Sequence, residues 1–201
     1  MDYLIYAAIA VAGYLFGSIS FAIVIGKLFY NTDVRQHGSK SAGATNVLRN
    51  LGKKAAILVT IGDVSKGIVA YLIGGWIGSF TANPQLAAVI GGFGAILGHN
   101  YPVYFKFKGG KGVLTSLALA FMLDWRASVI ALVVFAIVVL TTRYVSLGSL
   151  IATFTDVMLI YFFNPNDPIS YITGFLACIL IFIKHKANIK RLITKTESKI
   201  F

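Results

Sequence analysis

Three stretches of this chain combine glycine, hydroxyl and cationic side chains in a pattern suited to a phosphate group. The first is His37-Gly-Ser-Lys-Ser-Ala-Gly-Ala-Thr-Asn46-Val-Leu-Arg49. Glycines such as Gly43 let successive backbone N–H groups turn toward one point. Ser39, Thr45 and Asn46 add side-chain donors, and Arg49 brings a planar fork that matches phosphate oxygens. The second is Gly98-His99-Asn100-Tyr-Pro102, followed by Phe107-Lys-Gly109-Gly110-Lys111-Gly112. Its glycines clear space around Lys111 at the predicted start of a helix, whose exposed N–H groups favour an anion. The third is His185-Lys-Ala-Asn188-Ile-Lys-Arg191-Leu192, with Asn188 one helical turn from His185 on the same side. One such segment alone also describes an ordinary turn facing anionic headgroups. Three of them point to a site for a phosphate-bearing substrate. The histidines His37, His99 and His185 lack His-x-x-x-His spacing, and no Cys-x-x-Cys pair or carboxylate accompanies them. No metal site is expected, and His99 reads as a hydrogen-bonding residue that shapes its loop.

The elements that must position these segments are written in the composition. Of 201 residues 57% are hydrophobic and only 12% charged, and the mean hydropathy is +0.79. A water-soluble domain carries about 25% charged residues. Disorder, a disulfide scaffold and a coiled coil are excluded, and the single cysteine, Cys178, lies in an apolar run. The net charge of +11 does not mark a nucleic-acid binder, because the cations fall between apolar runs. Seven runs are candidates to cross a membrane: Tyr3–Phe29, Ala55–Phe80, Leu86–Leu97, Val113–Leu123, Ala127–Thr141, Tyr144–Phe163 and Ile169–Ile183. The third and fourth are short against the roughly 20 residues that span a bilayer. The predicted fold is an all-α polytopic membrane bundle of seven transmembrane helices, forming a single domain over residues 1–201.

Charge sets the orientation. With the N-terminus outside and the C-terminus cytoplasmic, sixteen of the eighteen Lys and Arg residues fall on the inner side. Only Arg126 falls outside, and Lys66 lies within a span, as the positive-inside rule requires. The first run starts at an acid and lacks a basic leader, so it reads as a retained helix rather than a signal peptide. Gly13 and Gly17, Gly74 and Gly78, and Gly94 and Gly98 are four apart, the spacing of close helix packing in lipid. Asp63 and Lys66 are placed to meet on one helix face, and Asp156 is expected to be satisfied inside the bundle.

Four motifs carry a resemblance. Gly43-Ala-Thr-Asn46-x-x-Arg49, Gly98-His-Asn-x-Pro102 with Phe107-Lys-Gly-Gly-Lys-Gly112, Arg143-Tyr-x-Ser146-Leu-x-Ser149, and His185-x-x-Asn188-x-x-Arg191-Leu192 resemble, in order, those of the PlsY family. These are bacterial membrane acyltransferases that use acyl-phosphate and glycerol 3-phosphate, and the resemblance runs the full length. It implies a cofactor-free, metal-free inner-membrane enzyme whose active site faces the cytoplasm, needing membrane lipid but no nucleic acid and no obligate protein partner. By motif position Ser39, Arg49, Lys111 and Ser149 would hold phosphate, with Gly43, Thr45, Asn46, Gly109 and Gly110 around it. His185 and Asn188 would orient the glycerol 3-phosphate, and His99, Asn100, Ser146 and Arg191 would support them. The chain departs from the family twice. The usual Gly-Ser-Gly-Asn-x-Gly reads Gly38-Ser39-Lys40-Ser41-Ala42-Gly43, and the usual glycine before the tail acid is missing from Lys195-Thr196-Glu197.

The chemistry is consistent with that expectation. An acyl-phosphate is already activated, so no covalent enzyme intermediate is needed. Charge neutralisation, alignment and donors for the oxyanion suffice. The His-x-x-x-x-Asp pair of acyl-CoA acyltransferases is absent, since Ala42, Tyr104 and Lys190 stand fifth after each histidine. The hydroxyl proton could go to the substrate's own phosphate or to His185. An anion transporter would need cations along its path, where only Lys66 lies. A CDP-alcohol phosphotransferase would need more aspartates than Asp63 and Asp156.

Overall fold

The structure, a computed structural model, describes residues 2–200, and its regular elements are helices. They are α1 (Asp2–Gly17), α2 (Phe21–Tyr30), α3 (Ala44–Leu51), α4 (Lys53–Gly78), α5 (Pro84–Asn100), α6 (Val113–Leu123), α7 (Trp125–Thr142), α8 (Val145–Phe163), α9 (Pro168–Lys184) and α10 (Lys186–Ile193). Among the described residues five stretches are long and apolar enough to cross a membrane, and the pair α9 and α10, bent by 61°, makes a sixth if counted as one span. Eleven-residue α6 covers only about 16 Å of a core about 30 Å thick.

The turns ahead of α5, α7 and α9 explain where those helices start. Asn83 Oδ1 accepts from Leu86 N at 2.9 Å ahead of Pro84, so α5 outruns the apolar run that announces it. Asp124 accepts from the N–H groups of Arg126 and Ala127, and Asp167 from that of Ser170. Burial and the backbone bonds push and pull the Asp124 carboxyl, but the Arg126 guanidinium dominates and holds it well below the usual carboxylate range. The first apolar run, expected to be one helix, is corrected by the structure to two. Ser18 Oγ turns back to Tyr14 O at 2.8 Å, and Ser20 is extended, with φ −88° and ψ 99°.

The chain forms two compact units, one running through Leu119 and the other from Ala120. In the first, α5 packs on α1 and α4, and α2 and α3 pack on α4. The paired glycines sit where helices touch. A Cβ on Gly13 would strike Gly91 O, and one on Gly98 would strike Tyr14 O and lie 2.6 Å from Ser18 N. A buried cluster including Ile23, Val34, Ala42, Val47 and Val59 ties α2, the following loop, α3 and α4 together. In the second unit α8 packs against α7, α9 and α10. There Ser128 Oγ donates to Asp156 Oδ1 at 3.0 Å, so the mid-span acid has its expected partner.

Candidate active site

The first loop is built around Asn46. Its Nδ2 lies 2.9, 3.1 and 3.0 Å from the carbonyls of Val34, His37 and Ser41, and its Oδ1 accepts from Ser39 N at 3.0 Å. Read from sequence as a phosphate donor, Asn46 instead spends its buried amide framing the loop. Ser39 and Arg49 are exposed around that frame, with Thr45 half-buried in the first turn of α3. Gly43 has only Ser41 Oγ near where a Cβ would stand, at 3.8 Å, so that side of the loop is open. Lys40 takes φ +55°, in the left-handed region that favours glycine.

The second loop folds back on the end of α5. Gly110 N donates to His99 O at 3.1 Å. A Cβ at Gly110 would collide with His99 Nε2, and one at Gly112, where φ is +81°, would lie 2.7 Å from Asn100 Oδ1. Only glycine fits against these side chains, and Lys111 is thereby delivered to the mouth of α6, half-buried. His99 Nδ1 lies 2.9 Å from Lys66 Nζ and 3.4 Å from Asp63 Oδ1. The predicted Asp63–Lys66 pair is closed at 2.9 Å.

Arg35, which the sequence reading passed over, joins the two loops. Its Nη1 donates to Phe105 O at 2.9 Å and Lys108 O at 3.2 Å, while Nε and Nη2 grip the Asp33 carboxylate. The hydrogen bond from Arg35 lowers the Asp33 carboxyl below its ordinary value, and Asp33 raises the guanidinium in turn. Asp-x-Arg just ahead of a glycine loop was the available signal.

In the second unit Glu197 is the hub. Its Oε1 accepts from Ser146 Oγ at 2.7 Å and Asn188 Nδ2 at 2.5 Å, and Oε2 from Arg191 Nε at 2.6 Å. Burial pushes this carboxyl up, but the hydrogen bonds from Asn188, Ser146 and Arg191 outweigh it and hold it below its ordinary value. The tail reaches this position through a helix stop in which Lys195 N donates to Leu192 O and Thr196 N to Arg191 O, with Lys195 at φ +57°. Ile200 N then closes on Arg143 O. Ser149, buried, returns its hydroxyl to Val145 O at 2.9 Å. His185 sits at the α9–α10 bend, 2% exposed, with Nδ1 2.8 Å from Ile181 O. A carbonyl only accepts, so Nδ1 carries a proton and donates it to that carbonyl. His37 pairs with Thr32 Oγ1 at 2.9 Å. Among the described residues no three His, Cys, Asp or Glu side chains gather as a metal site would need.

Apolar helices of membrane length carrying basic, glycine-rich loops define an integral membrane protein. A family model for glycerol-3-phosphate acyltransferase matches residues 7–195. The chain is 40% identical to the glycerol-3-phosphate acyltransferase of Macrococcus caseolyticus over 194 residues, 96% of each chain. It is 42% identical to that of a Thermoanaerobacter species over 191 residues, 95% of this chain and 93% of the other. The fold is similar to a crystal structure of PlsY, an integral membrane glycerol 3-phosphate acyltransferase, in its glycerol 3-phosphate form. Here the TM-score is 0.87 and identity 36%, over 96% of this chain and 94% of that one. The lysophosphatidic acid form of PlsY gives a TM-score of 0.84. The protein belongs to the glycerol-3-phosphate acyltransferase family.

Proposed function

We propose that the protein transfers a fatty acyl group from acyl-phosphate to the 1-hydroxyl of glycerol 3-phosphate, releasing lysophosphatidate and phosphate. The hydroxyl oxygen forms its bond to the acyl carbon as the bond to the phosphate oxygen breaks, with no acyl-enzyme. The reading is carried above all by the glycine loop that delivers Lys111 to the start of α6, an arrangement that favours an anion. The family, and a solved neighbour in glycerol 3-phosphate and lysophosphatidic acid forms, support it.

Lys111 and Arg49 neutralise phosphate charge, with Ser39, Gly43, Thr45, Gly109, Gly110 and Ser149 at the phosphates and Asn46 framing their loop. His185 and Asn188 orient the glycerol 3-phosphate, and His99, Asn100, Ser146 and Arg191 support them. The substrate phosphate takes the hydroxyl proton. His185 Nε2 is the second acceptor, favoured by the bond that holds the proton on Nδ1. The charge distribution supports seven spans with the N-terminus outside, α6 the short one, in a bacterial inner membrane with the active face cytoplasmic. Residues 1–201 act as one acyltransferase domain, with no cofactor and no obligate protein partner.

The test is purified protein given labelled glycerol 3-phosphate with palmitoyl-phosphate or palmitoyl-CoA. Lysophosphatidate from the acyl-phosphate alone, lost in Lys111→Ala, is the expected result. Product from the thioester, or unchanged turnover in Lys111→Ala, overturns it.

A further inference from the structure

The ion pair of Asp63 and Lys66 is buried in the first unit, with side chains 2% and 0% exposed. A lysine ammonium has three protons and no lone pair. Around Lys66 Nζ stand three groups: Asp63 Oδ1 at 2.9 Å, Ile19 O at 3.0 Å and His99 Nδ1 at 2.9 Å. Asp63 Oδ1 stands there as the counter-ion and Ile19 O accepts a hydrogen bond; because an ammonium can only donate, Nδ1 of His99 presents its lone pair to it. The imidazole proton then resides on Nε2.

That edge of the ring faces the substrate loops. A Cβ at Gly110 would collide with His99 Nε2 and lie 2.7 Å from Ala42 O, so the N–H edge, the glycine loop and the first loop meet around one point. The His99 carbonyl meanwhile accepts from Gly110 N at 3.1 Å. Thr115 Oγ1, on α6 just beyond Lys111, donates to Asp63 O at 3.0 Å. Through His99 and through Thr115 the ion pair thus reaches the segment holding Lys111 on two sides. A pair kept only to satisfy charge would need neither the histidine nor these contacts.

We propose that Asp63 and Lys66 are positioning residues for the acyl transfer. They hold His99 as its Nε2–H tautomer, and that edge sets the glycine loop carrying Lys111 against the first loop. The kinetic consequence rests on the function proposed above; the tautomer does not.

Two measurements test this. Nitrogen-15 spectra of histidine-labelled protein in lipid nanodiscs, with the His99 signals assigned from His99→Gln, should show a neutral ring protonated on Nε2. A ring protonated on Nδ1, or on both nitrogens, overturns the proposal whatever the enzyme does. The second is a cycle with Asp63→Asn/Lys66→Met, which removes both charges and leaves neither unpaired. In the His99 protein this double change should lower kcat/KM for glycerol 3-phosphate roughly tenfold, mostly through KM, as a displaced binding loop would. On a His99→Gln background the amide donor replaces Nε2–H and has no tautomer to fix, so the loss should shrink to about twofold or less. Equal losses on both backgrounds would mean general packing and overturn the proposal. If the variants do not fold or His99→Gln is inactive, the nitrogen spectrum of the native protein decides alone, with the His99 signals identified by elimination from His37→Gln and His185→Gln. Native protein that turns over neither donor, yet shows the Nε2–H ring, refutes the proposed function and leaves the tautomer assignment standing.

Discussion

Lys195 occupies the residue after a helix stop where a left-handed backbone is required, at φ +57°. That conformation costs an L-residue about 1–2 kcal/mol, because Cβ crowds the carbonyl. Lys195→Gly removes that cost and loosens the unfolded chain, which takes back about 0.5–1 kcal/mol. At the middle of these two ranges the net gain is about 0.75 kcal/mol. At about 2–4 °C per kcal/mol for a chain of this size, the unfolding midpoint in detergent should rise by roughly 1.5–3 °C. Lys195→Ala is the control. It too removes the exposed cation near the end of α10, and so loses the same dipole interaction, but keeps the strained backbone. The difference between glycine and alanine therefore isolates the conformation. Alanine unfolding at the same temperature as glycine, or higher, would refute the reasoning. Lys40, at φ +55° in the first loop, should respond in the same direction.

Arg35→Met removes the donors to Phe105 O and Lys108 O together with the guanidinium over the Phe105 ring. Discounting for the exposed Lys108 bond, about 2 kcal/mol of loop order is at stake, so KM for glycerol 3-phosphate should rise roughly 3–30-fold. Unchanged KM and unchanged amide exchange over residues 105–112 would count against the clasp. Gly98→Ala should lower the unfolding midpoint, by about 1–3 kcal/mol of overpacking, because the obstacles are backbone atoms of α1 and the residue after it. Gly43→Ala, with open space and φ −138°, should leave it unchanged, so thermal scans of the two separate a glycine at a helix contact from one in an open loop. Glu197 has its carboxyl held below the ordinary 4.5, so the stability it contributes is complete above that pH and is lost as pH falls through the depressed folded value. Unfolding midpoints from pH 7 down to 3 should therefore fall less steeply in Glu197→Gln, though from a lower start; parallel curves would contradict this.

Much of this was legible in the chain because the signals were local. Glycines four apart, Asp63 three before Lys66, and Lys111 among glycines each need only helix or loop geometry to interpret. The break after Gly17 was not legible, since two serines in an apolar run look helical until Ser18 bonds back to Tyr14. Nor was the direction of the Asn46 amide, which depends on three carbonyls brought in by the loop's own fold. Glu197 and Arg35 were hardest. Their partners lie up to 51 and 73 residues away, and no spacing rule reaches that far.

The environment of Lys66 also bears on how the chain enters the bilayer. A lysine at membrane depth costs about 2.5–3.5 kcal/mol on insertion scales, and the cost falls when it arrives with a counter-ion. Asp63 travels on the same helix one turn earlier, so the charge crosses already neutralised. The Ile19 carbonyl lies earlier in the chain, at the helix break, and His99 comes with the next helix. Two of the three ligands of this ammonium thus precede it in the chain, so its charge needs no later helix to be balanced.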